Sequence, residues 1–330
     1  MNTQAQNIKT MQIYAAGGAA TNIASRFNKT RDQISPGFAK IATRFIDTSR
    51  SNIDATIPDS DIYLFEGMDG SGKLRSSNYA TIVERSKEIL HRFKPQGTNV
   101  VIHSTSGGSG STIGPVLVSE LLARGENVVV VLIGSTSSRI ETENTLKTLQ
   151  SYEMISQKRE KPVVAYYREN SPEMVRGQVD QQVYYSLIML SVLFSGQNRE
   201  MDSADLVNFL NYPAVTHYGP SLVGLDMFSK DITMKQSEVL MSVATLIDEN
   251  SSADFSGLAE YQTTGHMPDS LKGSTNMELP FHVACIAGYF NHTVKRLQDR
   301  LSAYDEHRKA SVVKSIITSN VNATDDGLVL

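Results

Sequence analysis

The run Val128-Val129-Val130-Val131-Leu132-Ile133 is apolar at every position, with no alternation. A strand exposed on one face would alternate, so this run reads as a strand covered on both faces. Other β-like runs fall at Met11–Ala16, Arg44–Ile46, Asp61–Phe65, Asn99–His103 and Pro162–Tyr167. Amphipathic stretches such as Tyr79–Lys94 and Glu143–Gln157 separate them. Strand–helix repetition of this kind predicts an α/β fold built on a doubly wound parallel sheet. Ligands of such sheets bind at the carboxyl ends of the strands, so the loops that follow strands carry the information.

A long helix should follow. Ser171 suits its N-cap, Pro172 the first helical position and Gly196 the stop. From Val183 to Phe194 it is apolar nearly all round, which predicts burial. The rest is mixed, with turn-rich segments at Asn250–Ser256 and Gly265–Ser274, a strand at Leu279–Ile286 and a charged helix from about Asn291 to Lys309. We expect four parts: residues 1–170, a nucleotide-binding domain; 171–197, a long central helix; 198–310, a second, smaller α+β domain ending in a C-terminal helix; and 311–330, an acidic tail.

Four post-strand loops are rich in glycine, serine and small polar residues. They are Ala16–Asn22, Asp47-Thr48-Ser49, Glu66–Lys73 and Ser104–Ser111. Glycine lets backbone N–H groups approach phosphate oxygens, and a helix N-terminus after the loop adds partial positive charge. Several such loops in one sheet point to a nucleotide. Gly67–Lys73 also has P-loop spacing, but Leu74 stands where that motif needs Ser or Thr for Mg²⁺. A P-loop NTPase that does not polymerise is the alternative from another class.

Composition excludes other classes. Lys and Arg total 31 against 35 Asp and Glu, a formal charge of −4, so direct nucleic-acid binding is not expected. The single cysteine, Cys285, excludes an internal disulfide framework and a cysteine-based zinc site. It lies in an apolar run and reads as core. No apolar run is long enough for a membrane span, and a soluble cytoplasmic protein is expected.

The fourth loop, Ser106-Gly107-Gly108-Ser109-Gly110-Ser111-Thr112-Ile113-Gly114-Pro115, resembles the glycine-rich signature of the tubulin/FtsZ family, whose core reads G-G-G-T-G-[ST]-G. Ser106 replaces its first glycine and Ser109 its threonine. Other landmarks follow in chain order. Gly17, Gly18 and Asn22 resemble the first glycine loop. Asn170 resembles the asparagine that contacts guanine, and Asp180 falls where a second base-contacting residue stands. Met201-Asp202-Ser203-Ala204-Asp205-Leu206 is similar to the loop that reaches the next subunit's nucleotide, with Glu200 in place of an asparagine. The second loop, Phe45-Ile46-Asp47-Thr48, the compact spacing from Asn170 to Asp202 and the short acidic end resemble the phage-encoded tubulins.

The resemblance implies a GTPase that polymerises with itself. GTP or GDP with Mg²⁺ would be held by Gly17, Gly18, Asn22, Asp47, Gly70, Ser71, Gly72, Ser106, Gly107, Gly108, Ser109, Gly110 and Ser111, with Glu141 at the ribose and Asn170 and Asp180 at the base. Ser109 and Ser111 would offer hydroxyls to the phosphates, and no protein metal ligands are expected. Asp202 and Asp205 would act on the neighbouring subunit's nucleotide. The tail, Asp325–Leu330, would join neighbours, meeting a basic face such as Arg85, Lys87, Arg92 and Lys94. Filaments would position phage DNA in the host cytoplasm, with an adaptor or phage cargo as further partners. A plasmid-segregating filament shares most of these motifs.

Overall fold

The computed structural model describes residues 8–31, 37–171, 173–229, 235–249, 258–271, 278–310 and 324–325. The first half alternates as its hydrophobic pattern requires. Strands β1 (Thr10–Ala16), β2 (Lys40–Asp47), β3 (Ile62–Leu64), β4 (Thr98–Ser104), β5 (Val128–Ser135) and β6 (Val163–Asn170) are interleaved with helices α1 (Gly18–Arg31), α2 (Tyr79–Arg92), α3 (Gly110–Ala123) and α4 (Arg139–Arg159). These six strands pair in parallel, in the order β3-β2-β1-β4-β5-β6.

β5 is covered on both faces, as its composition predicts. Val129, Val131 and Ile133 pack into one core cluster with residues of α1 and α5 (Arg176–Leu193). Val128, Val130 and Leu132 pack into a second with residues of α2, α3 and α4. The pleat sends alternate side chains to opposite faces, and each face here has its own helical layer.

The central helix starts later than expected. Its N-cap is Val175, not Ser171. The Ser171 hydroxyl instead accepts the N–H groups of Glu173 and Met174, each at 3.2 Å. It closes a turn, a use of serine that competes with helix capping. The helix ends at Leu193, and Gly196 follows with φ +68°. Val179, Val183, Leu187 and Leu190 are fully buried.

Beyond α5 come α6 (Ser203–Leu210), β7 (Leu222–Phe228), β8 (Val239–Ile247), β9 (Tyr261–His266), β10 (Phe281–Ala287) and α7 (Tyr289–Ala310). The segment expected as a separate, smaller α+β part extends the same sheet. β7 adds in parallel to β6, β10 runs antiparallel between β7 and β8, and β9 lies parallel to β8, completing ten strands. The turn-rich stretch expected at Asn250–Ser256 lies outside the described residues, as do 272–274 and, in the tail, Asp326–Leu330. Among the described residues, no helix is long and apolar enough to cross a membrane.

Candidate functional site

The chain runs outward from β1 to β3 and returns to β4 on the other side of β1. The strand order therefore reverses between β1 and β4, the place where open α/β sheets form a crevice. The first and fourth glycine loops leave the carboxyl ends of these two strands and open α1 and α3. They touch. A Cβ on Gly17, whose φ is +81°, would lie 2.9 Å from the Gly110 Cα. The third loop closes over them, since a Cβ on Gly108 would meet the Ser71 Oγ at 1.9 Å. Hydroxyls fix the turn: Ser111 donates to the carbonyls of Gly107 (2.5 Å) and Gly108 (3.1 Å), and Thr112 to that of Gly108 (3.0 Å).

Two chambers adjoin there. The smaller, about 270 Å³, is lined by Gly17, Gly18, Asp47, Gly70, Ser71, Ser106, Gly107, Gly108, Ser109 and Gly110. Two helix N-termini, of α1 and α3, open on it. The larger, about 550 Å³, includes Asn170 and Asp180 in its lining. Ala19, Ser104, Ser106 and Glu141 line both and so form the passage between them. Three expected residues line neither. Asn22 is exposed on α1, one turn past Ala19. Gly72 has φ +53° and serves the turn of the third loop. Ser111 is fully buried, with its hydroxyl given to the loop carbonyls, so it is not available to phosphate as expected.

The polar groups of the chambers are individually fixed. Asp47 is buried, and burial raises its pKa above the usual carboxylate value. Opposing this, it accepts the N–H groups of Thr48 (2.6 Å) and Ser49 (3.2 Å) and the Asn52 side-chain amide (3.0 Å). Ser109 lies 2.6 Å from the Thr48 hydroxyl and 3.2 Å from that of Ser71. Burial also works to raise Glu141, but Lys73 (2.6 Å) and Ser135 (2.9 Å) outweigh it and hold the carboxyl below its ordinary value. Asp180 is raised by burial, against the pull of Arg176 at 3.7 Å. The Asn170 Oδ1 is buried without a hydrogen-bond partner. An orphaned acceptor in a chamber wall is a place for a ligand N–H.

Lys73 does not head a P-loop. That motif places its lysine at a helix N-terminus, whereas Lys73 has φ +65° and α2 starts six residues later, at Tyr79.

Asp202 and Asp205 lie at the other edge of the sheet. α5 starts just past the carboxyl end of β6, and its far end meets the amino ends of the strands: the Lys9 N–H donates to the Ser195 carbonyl at 2.9 Å. Eighteen residues of helix span about 27 Å. Just beyond, Asp202 caps α6 by accepting the N–H groups of Ala204 (2.7 Å) and Asp205 (3.1 Å), and Asp205 accepts the Asp202 N–H at 3.0 Å. The Tyr261 hydroxyl donates to Asp205 at 3.1 Å. Glu200 precedes them with φ +70°, 3.5 Å from His266.

Sequence reasoning missed Arg176 and Arg300, both lining the larger chamber, and Asn52 in the smaller. Arg176 had a signal, the i, i+4 spacing to Asp180. Arg300 had none, because it arrives on α7 from the far end of the chain.

No protein-family model matches the chain. The phage tubulin-like protein of Pseudomonas phage PhiPA3 is 26% identical over 328 residues, 98% of this chain and 99% of that protein. Among solved structures, the protofilament of TubZ from bacteriophage PhiKZ superposes with a TM-score of 0.82 at 27% identity, over 97% of this chain and 99% of that one. The phage tubulin PhuZ with GDP gives a TM-score of 0.84 at 18% identity, over 98% of this chain and all of that one. Over nearly its full length, in both sequence and fold, the chain is similar to phage tubulin-like proteins.

Proposed function

We propose that the chain binds GTP across the two joined chambers, assembles head to tail into filaments, and hydrolyses the nucleotide at the junction between subunits. One observation carries this reading. The chambers open at the carboxyl ends of the strands, and Asp202 and Asp205 stand past the far end of α5, a helix about 27 Å long. One subunit cannot complete its own site, but two stacked in the same orientation can. Such a heterologous contact does not close and gives an open polymer. The similarity to a TubZ protofilament and to a GDP-bound phage tubulin supports both halves of the proposal.

In this reading the phosphates lie in the smaller chamber, against the N-termini of α1 and α3, with Ser71 and Ser109 donating hydroxyl hydrogen bonds. The guanine enters the larger chamber. The Asn170 Oδ1 takes a base N–H, and Asp180 accepts from N1–H and N2–H₂, which adenine lacks. Glu141 takes the ribose hydroxyls. Asp47, Ser71 and Ser109 offer oxygen atoms to the smaller chamber, a set that suits Mg²⁺ retaining part of its water shell and neutralising phosphate charge. Asp205, with Asp202, orients and deprotonates the attacking water on the neighbour's nucleotide. Phosphoryl transfer needs this positioning more than covalent help. Reciprocal capping at the start of α6 holds both carboxylates in place before a neighbour arrives.

The filaments would position phage DNA in the cytoplasm of the infected cell. The tail from Asp325 to Leu330 would join neighbouring subunits.

The test is right-angle light scattering at rising protein concentration with GTP, GDP or ATP, for wild type and Asp205→Ala. We expect polymer only with GTP, above a threshold concentration, and persistent polymer from the variant. Phosphate release linear in protein concentration with no assembly would overturn the proposal.

A further inference from the structure

The larger chamber holds two cations and two carboxylates, Arg176, Arg300, Asp180 and Glu141. Three of the four are matched, Arg176 to Asp180 at 3.7 Å and Glu141 to Lys73 at 2.6 Å. Arg300 has the Tyr304 ring 5.7 Å from its guanidinium carbon, and no carboxylate among the described residues is within salt-bridge distance. It therefore brings an uncompensated positive charge and five N–H donors with no acceptor function.

The helix carrying it is clamped to the chamber rim. One turn before Arg300, Arg296 makes a two-pronged bond to Glu169, at 2.8 and 2.6 Å. Glu169 also accepts the Thr136 hydroxyl at 3.2 Å and directly precedes Asn170, the residue with the orphaned acceptor. Beyond Arg300, Asp305 accepts from Arg139 at 3.1 Å. Residues four apart share a helix face, so the clamp at Arg296 sets where Arg300 sits. Arg300 itself is exposed, at the mouth of the chamber.

We infer that Arg300 contacts the bound nucleotide from the mouth of the larger chamber, so that nucleotide binding and the seating of α7 are coupled. This rests on the nucleotide reading proposed above. The guanidinium takes acceptor atoms of the base or sugar that the loops leave uncovered. Coupling is reciprocal: whatever holds α7 strengthens nucleotide binding, and nucleotide holds α7. The segment that follows α7 is the tail expected to reach a neighbour, so nucleotide state would be relayed to the polymer contact within one chain.

The test uses the full chain as wild type, Arg300→Ala and Arg300→Lys. GDP affinity is measured by titration calorimetry, hydrogen exchange is followed over residues 289–310 with and without GDP, and Tm is taken without ligand. A lost charged hydrogen bond predicts GDP binding about tenfold weaker or worse in Arg300→Ala, with Arg300→Lys in between. GDP should slow exchange in α7 of the wild type and leave α7 of Arg300→Ala unprotected, at equal ligand-free Tm. Equal affinity and equal protection in wild type and Arg300→Ala overturn the inference. So does a weaker Arg300→Ala whose ligand-free Tm has also dropped and whose lysine counterpart restores nothing, because the role is then structural. A wild type that binds no GDP overturns the nucleotide reading itself.

Discussion

His103 is the last residue but one of β4, just before the signature loop, and its ring nitrogens are both engaged. Nδ1 lies 3.0 Å from the Ser104 carbonyl, and Nε2 meets the Tyr152 hydroxyl. A Cβ on Gly114 would come within 2.3 Å of the ring, so the helix that follows the loop rests on this imidazole. Burial pushes its pKa from 6.5 down to about 4, more than the bond to Ser104 restores. Between these values the unfolded chain binds a proton that the folded chain refuses. Stability therefore falls as pH drops from 6.5 toward 4. The full contribution is about 3 kcal/mol. Denaturant unfolding at several pH values across that window should show a shallower pH slope for His103→Gln than for wild type. Parallel slopes would remove His103 from the account.

At the scale of elements, α6 begins on a capping residue that the proposed function also uses. Asp202 is an N-cap with its carboxylate on the N–H groups of Ala204 and Asp205. Two aspartates three apart were expected to act on a neighbour's nucleotide, and in the structure they cap α6 reciprocally. Asp202→Ala should lower stability by about 1 kcal/mol, while Asp202→Asn, a comparable cap, should keep it. If Asp202 also acts on a neighbour's nucleotide, the asparagine variant will hydrolyse GTP more slowly at unchanged stability. Chemical unfolding together with phosphate release separates the two contributions, and an asparagine variant of full activity confines Asp202 to capping. α7 has a comparable double tie, being anchored through Arg296 and Asp305 to β6 and α4 while it lines the chamber with Arg300.

The whole molecule is organised around α5. Leu187 and Leu190 share one core cluster with Ile13 of β1, Val100 of β4 and Val131 of β5, and also with Val223 of β7, Met241 of β8 and Val283 of β10. The two halves of the sheet thus share their apolar interior through one helix. Leu187 is fully buried, and Leu187→Ala should cost about 2–5 kcal/mol. Because the cluster spans both halves, the loss should move a single unfolding transition to lower temperature in calorimetry. Two separated transitions would mean that the halves fold independently. The same helix sets the distance between the chambers and Asp202, so its length is also what makes assembly necessary in the function we propose.

Local chemistry was readable without a structure. An unbroken, valine-rich apolar run reads as a strand covered on both faces, and β5 is one. Glycines after strands mark close backbone approach, and Gly17 and Gly108 meet Gly110 and Ser71 as that rule requires. Ser171 misled because its hydroxyl caps turns and helices alike, and only its surroundings choose between them. The second half was harder still. β7 and β9 gave no clear pattern because they are buried to different degrees along their length, and strand order cannot be read from spacing. Ser111 looked like a phosphate donor until the fold turned its hydroxyl onto its own loop. Arg300 became part of the larger chamber only because a helix from the end of the chain packs beside β6. The sequence by itself determined which glycine-rich loops follow the strands, since backbone conformation and burial are local consequences of side chains. Tertiary structure decided which distant charges stand in the chamber and which edge carries the acidic pair, because those depend on long-range packing that no local pattern encodes.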